Sequence, residues 1–264
     1  MTKEANLIGF IYNIILSDKY SLENFILVRY QDTQFEFSFS DYKLTLNILD
    51  HSKSLAEIEM DAQDKIRILE DYYSLMYGVD SIRFYFKGYL YDNSDRNHKH
   101  ISGAIIAFST VKAEISAHIV LKSFPLPIGD FKPNYEMSVV IKRYRDALAG
   151  KESILSFGFF YLSYLENFIS KKEGLTNTTR IRMRLDNLLN VDFDVFKEIG
   201  DLTSARGDLH VARKVKGNPL NNLTHTEMIW LEDNLKELII RYCAFLSDPN
   251  LPAKLGRITK IIVN

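Results

Sequence analysis

Hydrophobic and polar residues alternate along most of the first half of the chain, which is the pattern of β-strands with one buried face. The clearest case is TQFEFSFS, residues 33–40, where Phe35, Phe37 and Phe39 are separated by polar residues and share one face. One helix is predicted among the strands, at 54–78, with Ser54 and Glu57 in capping-box spacing. The other predicted strands cover 6–16, 24–30, 43–49, 81–91, 102–111 and 113–124.

The pattern changes after the stretch PLPIGDFKP, residues 125–133, which holds three of the six prolines of the chain. Proline extends neither a helix nor a central strand, so this stretch predicts a domain boundary. Beyond it the apolar residues recur with helical spacing, and the helix at 152–174 is apolar on most sides, as a central buried helix would be. The remaining predicted helices cover 134–150, 176–190, 192–215 and 224–248.

The two patterns together predict an α+β protein built from two domains. A β-rich domain with one helix is expected at about 1–130, and an all-α helical bundle at 133–264. A chain of 264 residues with 46% hydrophobic and 25% charged residues is long enough and apolar enough for both cores.

Composition excludes several classes of function. The net charge of −1 gives no overall attraction to nucleic acid or acidic membranes, so such binding would need a local patch. The only cysteine, Cys243, rules out an intrachain disulfide and a paired-cysteine metal site. No apolar run is long enough to cross a bilayer and no secretion signal is evident, so we expect a cytoplasmic protein without a membrane partner.

No motif indicates a cofactor or a metal. The glycine-rich phosphate and dinucleotide loops, the paired-histidine zinc helix and the serine-hydrolase elbow are all absent, so we expect neither. His98 and His100, with Asp92 and Asp95, are explained better by a polar loop between strands than by a metal site.

The stretch LTSARGDLHVARKVKG, residues 202–217, carries the candidate chemistry. Arg206 and His210 would share one face if the segment were helical. The arginine fork matches phosphate oxygens, and a histidine transfers protons near neutral pH, as RNA cleavage by its own 2′-hydroxyl requires. Arg213 and Lys214 would then hold flanking phosphates.

In the second half, a long apolar helix carries FFYLSYLENF, a shorter one carries RIRMRLDNLL, the Arg/His segment follows, and a long amphipathic helix closes the set. This order of elements resembles the HEPN superfamily of all-α domains. The resemblance covers about 136–248, in the branch found behind a β-rich region. It implies a metal-independent ribonuclease of toxin, antiviral or RNA-processing systems, acting as a homodimer with Arg206 and His210 in its motif. Here three residues separate the two and Gly207 follows the arginine, whereas the family usually has four to six residues and a polar one.

Other charged residues have two interpretations each. Arg180 and Arg184, on one helix face, would bind RNA or form an ordinary solvated basic face. Glu166 lies on an apolar helix, where a buried acid needs a partner, and Arg206 is the expected one. Asp208 would either pair with Arg206 or cap the local backbone.

Two functional hypotheses therefore stay open. In the first, the chain is a HEPN-like effector that binds or cleaves RNA. In the second, it is a non-catalytic HEPN-like interaction or scaffold protein whose β domain binds a partner or ligand. Both predict a homodimer through the helical domain.

Overall fold

A computed structural model describes residues 6–22, 28–40, 42–78, 80–92, 101–102, 119–121, 131, 133–206 and 222–260. The chain divides into two compact units, Met1–Pro127 and Ile128–Asn264, and the division falls within the stretch 125–133. The first unit is a sheet with one helix and the second is helical, so the predicted α+β class is confirmed. Among the described residues, no helix combines the length and apolar character needed to cross a membrane.

The first unit is built on an antiparallel sheet with the strand order β3-β4-β5-β1-β6-β7. Its strands are β1 (Asn6–Leu16), β3 (Val28–Gln31), β4 (Phe35–Ser40), β5 (Lys43–Ile48), β6 (Ile82–Asp92) and β7 (Ile101–Ser102). Two short strands, β2 (Tyr20–Leu22) and β8 (Ile119–Leu121), pair in parallel as a second sheet.

The aromatic alternation forms the core of this sheet, as predicted. Phe35, Phe37 and Phe39 are all buried, and they lie opposite Ile48, Leu46 and Leu44 on β5. On both strands, every second side chain is therefore removed from water. The burial of these side chains is the main contribution that fixes the register of the two strands.

The single helix of the first unit, α1 (Leu55–Tyr77), has the predicted capping box between Ser54 and Glu57. The helix packs against β6, where the Glu70 carboxylate accepts a hydrogen bond of 3.0 Å from the Phe84 backbone N–H. Gly78 ends it with a positive φ of 97°.

The second unit is a bundle around one central helix, α3, which contacts α2, α4, α5 and α6. Its buried side chains include Phe157, Tyr161, Leu165 and Ile169. The helices are α2 (Tyr135–Leu148), α3 (Ile154–Glu173), α4 (Thr178–Leu189), α5 (Phe193–Ala205), α6 (His225–Ser247) and the short α7 (Leu251–Lys254).

A buried arginine ties the end of the described chain to the bundle. Arg241 on α6 is only 3% exposed, and its guanidinium donates to a set of backbone carbonyls. The nearest of them are on Gly256 at 2.8 Å, Leu189 at 3.1 Å and Leu255 at 3.2 Å. Residues 255–258 are thereby held beside the end of α4, where Ile258 also pairs with Val191.

One predicted helix is shorter than expected. The sequence pattern predicted a helix over 192–215, but α5 ends at Ala205 and Arg206 is extended, with φ −108° and ψ 162°. The prediction is wrong at Arg206. The next residue in the sequence is Gly207, and glycine has a low helix propensity, so the sequence does not favour helix at this point.

Candidate functional site

Within the stretch 202–217, the structure describes residues 202–206, and Arg206 lies at the C-cap of α5. Its guanidinium donates to the Glu227 carboxylate on α6, with an Nη2–Oε1 distance of 2.6 Å. The Arg206 side chain is 32% exposed and that of Glu227 is 14% exposed. The arginine is therefore engaged in a half-buried, charge-assisted hydrogen bond.

Glu227 has a second role at the beginning of α6. Its other carboxylate oxygen accepts a hydrogen bond of 2.8 Å from the Thr224 backbone N–H, while the Thr224 hydroxyl accepts from the Glu227 N–H at 3.2 Å. This is the capping box predicted from the sequence. Burial raises the pKa of Glu227, but the hydrogen bonds from Thr224 and Arg206 outweigh it and hold the pKa below its ordinary value.

Four of the predicted site residues lie outside the described residues: Asp208, His210, Arg213 and Lys214. Arg206 itself is not in helical conformation, so a shared helix face with His210 does not follow from their spacing. The structure thus describes the arginine of the candidate catalytic pair and leaves the pair itself a prediction.

Glu166 does not pair with Arg206, and this sequence prediction is wrong. Its carboxylate accepts a hydrogen bond of 2.6 Å from Nε of Arg182 on α4, and both side chains are about four-fifths buried. Gly200 on α5 leaves room for this arginine, since a Cβ there would lie 2.8 Å from Arg182 Nη2. The reason is topological: α4 packs beside α3 at the level of Glu166, whereas Arg206 extends from the end of α5 towards α6.

The predicted basic face of α4 is present. Arg180 and Arg184 are both exposed, four residues apart on the same helix. Arg184 donates to Glu173 at the end of α3, with an Nε–Oε1 distance of 2.7 Å. No acidic side chain within the described residues pairs with Arg180, so its charge is the more available of the two for an anion.

A groove between α2 and α3 was not predicted. It has a volume of about 680 Å³ and is lined by Arg143, Ser156, Phe159, Phe160, Ser163, Tyr164 and Asn167. The Arg143 guanidinium lies 3.8 Å from the centre of the Phe160 ring and also pairs with Glu152, at 3.1 Å from Nε to Oε2. The sequence signal was present in the serines at 156 and 163, which recur at a spacing of seven on an otherwise apolar helix.

A metal site has no support within the described residues, where no group of three or more histidine, cysteine or acidic side chains is assembled to hold an ion. Of the four polar residues considered from the sequence, Asp92 is the last residue of β6. His98, His100 and Asp95 lie outside the described residues.

The lowered pKa of Glu227 predicts an acid-sensitive contact. Because its pKa in the fold lies below the ordinary value of 4.5, the contact contributes fully above that pH and is lost as the pH falls through the lower, folded pKa. We expect Glu227→Gln to cost stability at neutral pH and progressively less below pH 4.5. Urea unfolding across this range measures the difference.

The same experiment in an Arg206→Ala background is the control. If the two side chains act together, the cost of Glu227→Gln at neutral pH is smaller when Arg206 is absent. A cost that is independent of both pH and Arg206 would show that the carboxylate does not stabilise the fold through its charge.

No protein-family model, curated protein or solved structure gives a significant match to this chain.

Proposed function

We propose that this protein is a HEPN-like interaction protein, whose helical unit is a dimeric scaffold and does not cleave RNA. The observation that supports this best is the engagement of Arg206 by Glu227. A homodimer in the cytoplasm is part of the proposal.

The pairing opposes a catalytic use of Arg206. The Glu227 carboxylate already offsets the charge of Arg206, so a phosphate that bound the remaining N–H donors of the guanidinium would meet a neutralised pair and not a free cation. The Glu227 carboxylate would then remain beside the phosphate and repel it. The same carboxylate caps α6, so the pair has a structural role: it stabilises the beginning of α6 and connects it to the end of α5.

The β-rich unit supplies the recognition surface in this proposal. Ile15 on β1 and Tyr85 on β6 are 43% and 45% exposed, and they lie on the same face of the sheet, because Ile15 pairs with Arg83, two residues from Tyr85. Large apolar side chains left in contact with water on one sheet are typical of surfaces that bind a protein or a ligand.

The second candidate function is the RNA-directed effector, and one observation favours it. Arg180 and Arg184 form an exposed basic face in which Arg180 has no acidic partner within the described residues. Such a face binds the phosphate backbone of RNA independently of sequence.

An RNA cleavage assay in EDTA separates the two candidates. We expect the wild-type protein to leave single-stranded and structured RNA intact, and Arg206→Ala and His210→Ala to behave identically. Cleavage that is lost in both variants would overturn the scaffold proposal and establish the nuclease. Cleavage that survives both would also overturn the scaffold proposal, and would place the chemistry elsewhere.

RNA binding is measured on the same samples by fluorescence anisotropy. The scaffold proposal predicts no binding at physiological salt. Salt-dependent binding that weakens in Arg180→Glu but not in Met60→Glu, an exposed residue on α1, would instead support the RNA effector.

A further inference from the structure

A β-bulge in β6 brings two aromatic rings to one face of the sheet. Phe86 and Tyr89 are three residues apart, so in a regular strand their side chains would point to opposite faces. Tyr12 on β1 pairs with Phe86 while Ile11 pairs with Gly88, so β6 has one extra residue between these two pairs. The bulge therefore places both rings on the face that α1 covers. Bulges that redirect side chains in this way are common beside functional sites.

The two rings form an open corner. The planes of Phe86 and Tyr89 meet at 69°, with the ring centres 5.0 Å apart. Tyr12 also contacts Phe86, at an interplanar angle of 70° and a distance of 5.7 Å. Tyr12 is buried whereas Phe86 is 47% exposed, so the cluster has a fixed base and a side open to water. We name Tyr12, Phe86 and Tyr89 the aromatic corner.

A carboxylate lies at the aromatic corner. The Tyr89 hydroxyl donates a 2.8 Å hydrogen bond to Oε1 of Glu59 on α1. Glu59 is partly buried, and no cation in the described part of the chain forms an ion pair with it. Burial raises the pKa of Tyr12 to about 12, and Tyr89 and Glu59 add to the rise, so the charge of Glu59 acts on the rings. A carboxylate partly withdrawn from water favours a positive partner.

Ring faces also attract positive charge. The π electrons make each face negative, and a cation is stabilised when it lies within about 6 Å of the ring centre. Where two rings meet near a right angle, one cation can lie within about this distance of both centres. The carboxylate and the rings of the aromatic corner therefore favour a ligand of the same charge.

Hydrogen bonding indicates which kind of cation fits. A primary ammonium group has three N–H donors that need acceptors. Ring faces accept hydrogen bonds only weakly, and one oxygen of Glu59 already accepts from Tyr89. A quaternary ammonium group has no N–H donor and presents methyl groups to the rings, so none of its groups is left without a partner.

We infer that the aromatic corner binds a quaternary ammonium group, with Phe86 and Tyr89 against its methyl groups and Glu59 balancing its charge. A small molecule of the choline type and a trimethylated lysine side chain both present this group. The corner lies on the opposite face of the sheet from Tyr85, so the inference does not rest on the recognition surface proposed above.

A ligand-observed NMR titration of the full chain with choline tests the inference. We expect choline to bind, and its neutral analogue, in which carbon replaces the charged nitrogen, to bind about tenfold more weakly or less. N-acetyl trimethyl-lysine is titrated in parallel, and tighter binding of one of the two cations identifies the source of the group.

Three variants locate the cation. Phe86→Leu is expected to weaken choline binding by about tenfold, because leucine keeps the apolar bulk and has no π face. Glu59→Gln should weaken binding by about threefold or more, because glutamine keeps an oxygen for the Tyr89 hydroxyl and removes only the charge. Tyr85→Leu is the matched control, since Tyr85 is also exposed on β6 but lies on the other face, and it should bind like the wild type.

A folded wild type that binds neither cation would overturn the inference, and so would equal binding of the neutral analogue. Equal weakening in Phe86→Leu and Tyr85→Leu would overturn the assignment to this corner. Phe86→Trp guards against a folding defect, because the larger indole face should bind choline at least as tightly as the wild type. Circular dichroism checks that each variant is folded. None of these results depends on the cleavage assay, so the two proposals can fail separately.

Discussion

Replacing Arg241 by methionine is expected to lower the free energy of unfolding of the helical unit by about 3 kcal/mol. The arginine is 3% exposed and donates to carbonyls at the end of α4 and in residues 252–256. Methionine fills a similar volume and donates nothing, so these carbonyls are left without a donor away from water. Urea unfolding, followed by far-UV circular dichroism, measures the loss.

Arg257→Met is the matched control. Arg257 pairs with Asp186 at 2.8 Å but is 45% exposed, so its loss should cost about 1 kcal/mol or less. The free energy of unfolding of Arg241→Lys should lie between those of Arg241→Met and Arg257→Met, because an ammonium group reaches fewer carbonyls than the planar guanidinium does. Equal stabilities of Arg241→Met and Arg257→Met would show that Arg241 does not hold the C-terminal segment in place.

The second large effect is expected in the sheet, from Gly9→Ala. A Cβ at position 9 would lie 2.4 Å from the Leu46 carbonyl oxygen and 3.3 Å from the Asn47 Cα. Both are backbone atoms of the neighbouring strand, so β1 and β5 must separate locally. We expect a loss of about 3 kcal/mol in the free energy of unfolding of the β-rich unit.

Asn13→Ala on the same strand is the comparison. Asn13 pairs with Lys43 in the same ladder and its side chain is exposed, so its replacement should change stability by about 0.5 kcal/mol or less. Hydrogen exchange of the Leu46 and Asn47 amides should quicken in Gly9→Ala alone. If both variants unfold at the same urea concentration, the close approach of β1 to β5 at Gly9 is not a real constraint.

Local patterns were sufficient for the fold class and for most elements. The alternation of Phe35, Phe37 and Phe39 predicted a buried face because successive residues of a strand point in opposite directions. The capping residues Ser54 and Thr224 marked the beginnings of α1 and α6, since a cap and its partner lie three residues apart in the chain. Contacts between residues this close in the chain can be predicted without knowing how the rest of the chain packs.

The candidate site was less predictable. The sequence indicated that Glu166 needed a partner, but it could not distinguish Arg182 from Arg206, because the choice depends on which helices pack beside α3. The burial of Arg241 and its bonds to carbonyls could not be predicted from the sequence for the same reason. Its partners are separated from it by as many as 52 residues, and they are backbone carbonyls, which every sequence has.

By itself, the sequence of this protein determined the α+β class, the buried faces of β4 and β5, the capped beginnings of α1 and α6, and which helix is central, because periodicity and caps act over a few residues. Only the tertiary structure decided that Arg206 is bonded to Glu227, that Arg241 is buried among carbonyls, and that a groove lies between α2 and α3. The physical reason is that charges and open surfaces acquire partners only when distant segments pack, and that packing is cooperative over the whole unit.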